Sequence, residues 1–281
     1  MSIDLCKFFS VVFGLNLIRL RIIEKKRTIG YHCNMRRKNS AFCAIFLICL
    51  LLLSSCVVTE SLTLSGEITK STKVPGKSHS DISVDDFFVG VMEDLSNWTD
   101  KGNNDPVIDV AIHDFESNVK ASRGTSGVSF TEIAENTYTG DFSFTDFATL
   151  LVDLSNGHAN QSIVTIRKAD ARTHVEININ MDNYEELTEI IPFLADPNFE
   201  VYGPLYNNDL TEEEYLEMVS FILGEQCPDS IGKSNISIVV SAPKAIVSHN
   251  GKLRDSKTVE FSFPLIDFLL LHHSIDFYLE Y

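Results

Sequence analysis

The sequence predicts an α+β fold with a mostly antiparallel sheet and several short amphipathic helices, on three observations. Apolar and polar residues alternate in stretches such as Ser61-Leu-Thr-Leu-Ser-Gly and Thr173-His-Val-Glu-Ile-Asn-Ile, the period of a half-buried strand. Elsewhere Val84, Phe87, Phe88, Val91, Met92 and Leu95 recur at helical spacing and make one apolar stripe. Strands and helices follow one another irregularly, without the regular strand-helix alternation of a parallel sheet.

In chain order, Val57 to Val74 opens with the alternating strand, and Pro75-Gly-Lys-Ser-His-Ser reads as a loop. Ser83 starts a helix, with Ser83 and Asp86 in a capping-box-like pair, and Lys101-Gly-Asn-Asn-Asp-Pro breaks it. Val107 to Phe115 alternates as a strand. A Gly/Ser-rich turn over Ser122–Ser126 leads to strand-like sequence as far as Phe130, and Tyr138-Thr-Gly-Asp-Phe-Ser-Phe is a further strand. Thr145 to Leu154 is a short helix with Phe147, Leu150, Leu151 and Leu154 on one face. Ser162–Arg167 and Thr173–Ile179 form a hairpin around Ala169-Asp170. Tyr184 to Ile191 is helical up to Pro192. Thr211 and Glu214 form a capping box on the helix to Leu223, where Leu216, Val219 and Leu223 share a face that Met218, Phe221 and Ile222 broaden. Asn235–Val240, Ala245–His249 and Thr258–Phe263 are strands, with Gly251 in the last turn. Leu265 to Leu271 is an apolar helix and Ser274 to Tyr281 the final strand.

The N-terminal fifth is of another kind. Met35-Arg-Arg-Lys-Asn-Ser is followed by the apolar run Ala41–Leu53 and then Ser54-Ser55-Cys56: a basic region, 13 apolar-rich residues and small residues at a processing site. Leu53-Ser54-Ser55-Cys56 resembles the lipobox of bacterial lipoproteins. The resemblance implies a diacylglyceryl thioether on Cys56, peptidase cleavage between Ser55 and Cys56, and acylation of the new terminus, palmitate being a usual chain. Several acyl chains anchor stably where one is marginal. Two other readings stay open. Ala41–Val58 spans 18 residues, just enough for an uncleaved transmembrane helix with its basic flank inside, and the run also suits an ordinary cleaved signal. Charge, length and position favour the lipobox. Residues 1–34 carry a second apolar stretch, Phe8 to Leu20, and the basic Lys25, Lys26 and Arg27. With Met35 placed as a start, 1–34 reads as an over-extended N-terminus, 35–55 as signal peptide, 56–80 as anchor strand and linker, and 81–281 as the α+β region, with halves 81–157 and 158–281 allowed.

Charge splits at the same point. Residues 1–55 hold nine Lys and Arg against two Asp and Glu, while 56–281 hold 14 against 37, a net charge of −23. Such a surface does not suit nucleic acid or anionic headgroups. Of six cysteines only Cys56 and Cys227 remain from residue 56 onward, which excludes a disulfide-rich scaffold; a Cys56–Cys227 bridge requires an unmodified Cys56.

No catalytic residue is assigned. Gly-rich phosphate loops, G-x-S-x-G and Cys-x-x-Cys are absent from the sequence. His272-His273 follows an apolar helix, and adjacent side chains diverge, so the pair is a poor metal site. His113, His158, His174 and His249 are scattered singly. Asp209 and Glu212–Glu214 complement a helix N-terminus and lack EF-hand spacing. Cys227, beside Pro228 and near Glu225, sits where a thiol pKa rises. Phe87, Phe88, Phe147 and Phe221 read as core.

The run Asn208-Asp-Leu-Thr-Glu-Glu-Glu-Tyr-Leu-Glu-Met-Val, then Ile236-Ser-Ile-Val-Val, then Val259-Glu-Phe-Ser-Phe-Pro-Leu-Ile-Asp-Phe-Leu-Leu-Leu and a terminal strand, resembles Treponema-type spirochaete lipoproteins and, more weakly, the LppM-type envelope domain of mycobacteria. The resemblance spans Cys56–Tyr281 at most and implies a lipid-anchored globular domain, without active-site residues to carry over. The expectation is a lipid-anchored protein of the cell membrane or outer membrane, its globular part outside the cytoplasm. It binds a protein or apolar ligand or organises the envelope, and needs no cofactor or metal. An envelope enzyme with a scattered site and a surface adhesin are the alternatives.

Overall fold

The computed structural model describes residues 56–65, 73–99, 106–155, 157, 162–169 and 172–281. The signal segment, residues 1–34 and Ser55 lie outside these. In order the elements are β1 (Val57–Leu64), β2 (Gly76–Ser83), α1 (Asp86–Thr99), α2 (Val107–Ala121), β3 (Thr125–Ala134), β4 (Thr137–Phe144), α3 (Phe147–Leu154), β5 (Val164–Ala169), β6 (Arg172–Ile179) and α4 (Tyr184–Ile190). A 3-10 turn, Pro192–Ala195, leads to α5 (Pro197–Glu200), α6 (Pro204–Asn207), α7 (Glu212–Leu223) and α8 (Cys227–Lys233). Then come β7 (Asn235–Ser241), β8 (Ser248–His249), β9 (Lys252–Leu253), β10 (Thr258–Pro264), α9 (Leu265–Leu270) and β11 (Ile275–Glu280).

Seven strands form one sheet in the order β3-β4-β2-β1-β7-β10-β9, and four form a second in the order β5-β6-β11-β8. Every pairing is antiparallel except β1 with β7, which run parallel from Val57 opposite Asn235 to Thr63 opposite Ser241. The fold is therefore the α+β arrangement that the irregular strand order predicts. β1, expected as an anchor strand, lies at the centre of the large sheet: strands from the first half of the chain flank it on one side and β7 on the other. Strands from both sides of the possible boundary near 156–160 thus join in that sheet.

Strand alternation puts Leu62, Leu64, Phe142, Phe144, Val240, Val259 and Phe263 on the inner face of the large sheet. The second sheet supplies Val175, Ile177, Ile179, Ile275, Phe277 and Leu279 to the same core, and α3 and α4 add Leu150, Leu151, Leu154, Tyr184, Leu187 and Ile190. Phe261 of β10 stacks on Phe277 of β11 with ring centroids 5.3 Å apart, joining the sheets. A second cluster, Tyr215, Val219, Cys227, Ile231, Ile266 and Leu270 with Phe87 and Phe88 against it, binds α1, α7, α8 and α9 into a helical cap. The cap sits where β1 begins, because α8 leads into β7, α9 follows β10 and α1 follows β2: β2 and β7 flank β1 at that end, and the last residue of β10, Pro264, lies opposite Asn235 of β7. The capping box of α7 forms as its spacing predicts: Glu214 N–H donates to Thr211 Oγ1 at 3.3 Å, and Thr211 N–H to Glu214 Oε2 at 2.9 Å.

Four elements depart from expectation. Pro75–Ser80, read as a loop, holds most of β2. Its inward positions are Gly76, Ser78 and Ser80, so burial there is carried by small residues and shows no apolar alternation. Gly76 is required by contact, since a Cβ would lie 2.6 Å from both Thr63 O and Phe144 Cζ. Ser83 ends β2, and the α1 cap is Asp85, whose Oδ1 accepts the Phe87 N–H at 2.8 Å. Val107–Phe115 is helical: Ile108, Ile112, Phe115 and Val119 keep a four-three-four spacing that outruns the local alternation. The strand expected over Ala245–His249 shrinks to two residues, whose partners are Leu279 and Glu280.

One carboxylate interrupts the apolar inner face. Half-buried Glu60 of β1 accepts hydrogen bonds from Ser78 and from Ser80, the latter at 2.5 Å. Burial pushes its pKa up despite both serines. The folded chain thus holds this proton more tightly than the unfolded chain does. The stabilisation is complete below the ordinary glutamate pKa and is lost as pH rises through the raised value. Glu60→Gln should raise Tm at pH 8 by about 2–4 °C, the shift that about 1 kcal/mol makes in a domain of this size. The advantage over the parent should close by pH 4 in thermal melts followed by circular dichroism.

Candidate functional site

Cys56 is held by three hydrogen bonds. Its N–H donates to Ser234 Oγ at 3.1 Å, and its carbonyl accepts the Asn235 N–H at 3.0 Å. The Asp85 N–H at the start of α1 points to its Sγ at 3.4 Å. Ser234 Oγ in turn donates to Ser230 O at 2.6 Å, closing the end of α8, and Ser230 Oγ reaches Asp85 Oδ2 at 3.5 Å. The corner therefore joins β1, α1, α8 and β7. Burial raises the Cys56 thiol pKa, the Asp85 N–H opposes the shift and the Asp85 charge adds to it. In the folded chain this sulfur is a protonated, half-buried group and a poor nucleophile.

Cys227, at the start of α8, is fully buried, and burial pushes its thiol up to about 11. Cys56 and Cys227 are both free thiols, so the bridge left open by the sequence is not formed.

A cleft of about 520 Å³ lies between α2 and the β3–β4 hairpin, lined by Asp109, Ile112, Glu116, Phe130, Glu132 and Tyr138 among others. Tyr138 Oη donates to Asp109 Oδ1 at 2.5 Å, and Phe115 of α2 meets Phe130 edge-on at 5.6 Å. Burial, then the Asp109 hydrogen bond, raise the Tyr138 hydroxyl well above its usual pKa. Lys120, 2.9 Å from Glu116, holds that carboxyl below its usual range. Both shifts lead away from neutrality, opposite to what proton transfer at neutral pH requires. The sequence reading missed this cleft because it took α2 for a strand; the spacing Ile108, Ile112, Phe115, Val119 is the signal that reveals its helical wall. A smaller hollow of about 310 Å³ borders β5 and β6, with Ser162, Thr165, Arg167, Glu176 and Asn178 on its lining.

Apart from the neighbours His272 and His273, the described histidines are scattered over the fold. His79 of β2 lies on the outer sheet face, 2.9 Å from Asp141 and 3.3 Å from Asp81, and the Asp141 hydrogen bond leads the upward shift of its pKa. His174 is 3.4 Å from Glu280 and stacks on Tyr278. His113 stands exposed on α2 beside the cleft, 3.9 Å from Glu116. His249 Nδ1 is 2.8 Å from Gly251 O, and His272 Nε2 is 2.7 Å from Leu210 O. His158 lies outside the described residues. Among the described residues no group of three His, Cys, Asp or Glu side chains is arranged to hold a metal ion.

Of the phenylalanines assigned to the core, Phe87, Phe88 and Phe147 pack against it, but Phe221 is 91 % exposed and its neighbour Ile222 is 55 % exposed. The helix turns them outward because Tyr215 and Val219 hold the buried side of α7.

No protein-family model matches the chain, and no curated protein does. A solved structure with a likeness to it is the NMR structure of the folded domain of Mycobacterium tuberculosis LppM. It is 12 % identical, with a TM-score of 0.35 over 81 % of this chain and 89 % of that one. A likeness at this level carries no argument about fold or function.

Alkylation of the folded chain at pH 8 followed by peptide mapping should leave Cys227 unmodified, and denaturant should expose it to full reaction. Rapid labelling in the native state would show that α8 does not seal it.

Proposed function

We propose that the mature chain is a lipid-anchored envelope protein, held by acyl chains on Cys56, whose acidic globular part binds a ligand or partner outside the cytoplasm. The observation that carries this reading is the order basic segment, apolar run Ala41–Leu53, Leu-Ser-Ser-Cys56, with the folded sheet starting at Val57. Among the described residues no helix is long and apolar enough to cross a membrane. Binding is favoured over catalysis because Tyr138 and Glu116 in the larger cleft are displaced away from neutral pH, and the Cys56 and Cys227 thiols are raised.

Expression in a bacterium with a clickable palmitate analogue tests the anchor. The parent chain and a chain starting at Met35 should take up label, and Cys56→Ala should take up none. Unlabelled parent chain that still sediments with membranes would replace the acyl anchor with an uncleaved helix.

A further inference from the structure

Exposed apolar side chains gather at the end of the large sheet where Cys56 sits. Phe221 is 91 % exposed, Ile133 62 % and Ile222 55 %, and Val57 is itself exposed beside Cys56. Ile133 belongs to the last residues of β3, whose turn into β4 reaches the same end: Asn136 O accepts the Val84 N–H at 2.9 Å, and Asn136 Nδ2 donates to Asp86 Oδ1 at 2.8 Å. Phe221 and Ile222 close α7, and Gly224 just beyond them packs toward the Phe87 ring, two residues from the Asp85 that touches Cys56 Sγ. This run of contacts ties the end of α7 to the Cys56 corner through Phe87 and Asp85.

The chain before Cys56 limits what can cover that end. Leu53, the last residue of the apolar run, is three residues from Cys56, a reach of about 10 Å at most. Strand β1 begins at Val57 and is hydrogen-bonded on both edges, so no slack follows the cysteine. Acyl chains on Cys56 would start at the protein surface itself.

We propose that the helical cap is the membrane-facing surface of the protein, with Phe221 and Ile222 seated in the bilayer interface beside the anchor. The occupant is a lipid surface, and this inference rests on the lipid-anchor reading above. Large apolar side chains at a surface that a tether holds against lipid partition into the headgroup boundary. Exposed Asp86, Glu217, Glu225 and Asp229 on or beside the cap set the headgroup preference. They suit a zwitterionic surface and are repelled by an anionic one.

The test uses the full chain matured in bacteria with the palmitate analogue and reconstituted in phosphatidylcholine vesicles with brominated acyl chains. Trp98→Phe removes the one native tryptophan, and Phe221→Trp or Leu253→Trp adds a single reporter. Leu253 pairs beside Val259 at the level of Leu62, about 20 Å along the sheet from Cys56. Bromine should quench the Phe221→Trp indole and leave the Leu253→Trp indole unaffected, and replacing half the lipid with phosphatidylglycerol should reduce the quenching. Labelled protein with no quenching at 221, or equal quenching at both positions, would overturn the proposed face and leave the anchor standing. An indole at 221 shielded from both bromine and aqueous iodide would assign the patch to a protein occupant, such as the Ala41–Leu53 run, and overturn it too. An unlabelled parent chain would remove the anchor reading itself, whatever the quenching.

Discussion

The parallel pairing of β1 with β7 is the constraint on which the rest of the structure depends. Without it the molecule is two antiparallel pieces, β3-β4-β2-β1 and β7-β10-β9, each with an open edge. With it, one inner face runs from Phe142 through Leu62 to Val259, wide enough to seat the second sheet. The pairing also fixes the start of the folded chain. Cys56 donates to Ser234 across a separation of 178 residues, so the residue that follows the apolar run is a corner of the sheet and not the end of a loose linker.

Much of the second half of the fold was legible because its elements obey simple periods. The α7 capping box, the β5–β6 hairpin, β10, α9 and β11 were all visible as patterns of apolar side chains bounded by breakers. Failures came where burial does not need a large apolar residue, or where two periods overlap. β2 is buried through Gly76, Ser78 and Ser80, which look like a loop in one dimension. In α2 the nine residues Val107–Phe115 alternate only in part, since Val107-Ile108 and Val110-Ala111-Ile112 run together, and the spacing Ile108, Ile112, Phe115 carried on to Val119 marks the helix. Phe221 shows a third limit. A helical stripe states which residues share a side, but Tyr215 and Val219 decide how far around the helix the core reaches.

The site is legible in a different way. The cysteine and its preceding run are read from local order alone, whereas the cleft between α2 and the β3–β4 hairpin needs the tertiary arrangement. Asp109 and Tyr138 are 29 residues apart and meet only once the helix lies along the hairpin. The Glu60 seam is likewise invisible in one dimension: a glutamate in an alternating strand looks solvent-facing until its partners are known to be two inward serines.

The central place of β1 also orders events in time. Its antiparallel partner β2 is close in sequence and can form a ribbon early. Its parallel partner arrives only when residues 235–241 have been made, and such distant pairings are slow to close because the loop entropy precedes the contact energy. Until then the contacts that Ser234 and Asn235 make to Cys56 do not exist, and the side of the residue that they cover stays open. Late closure of the sheet thus leaves a window in which the thiol that the completed fold half-buries is more open than it is afterwards.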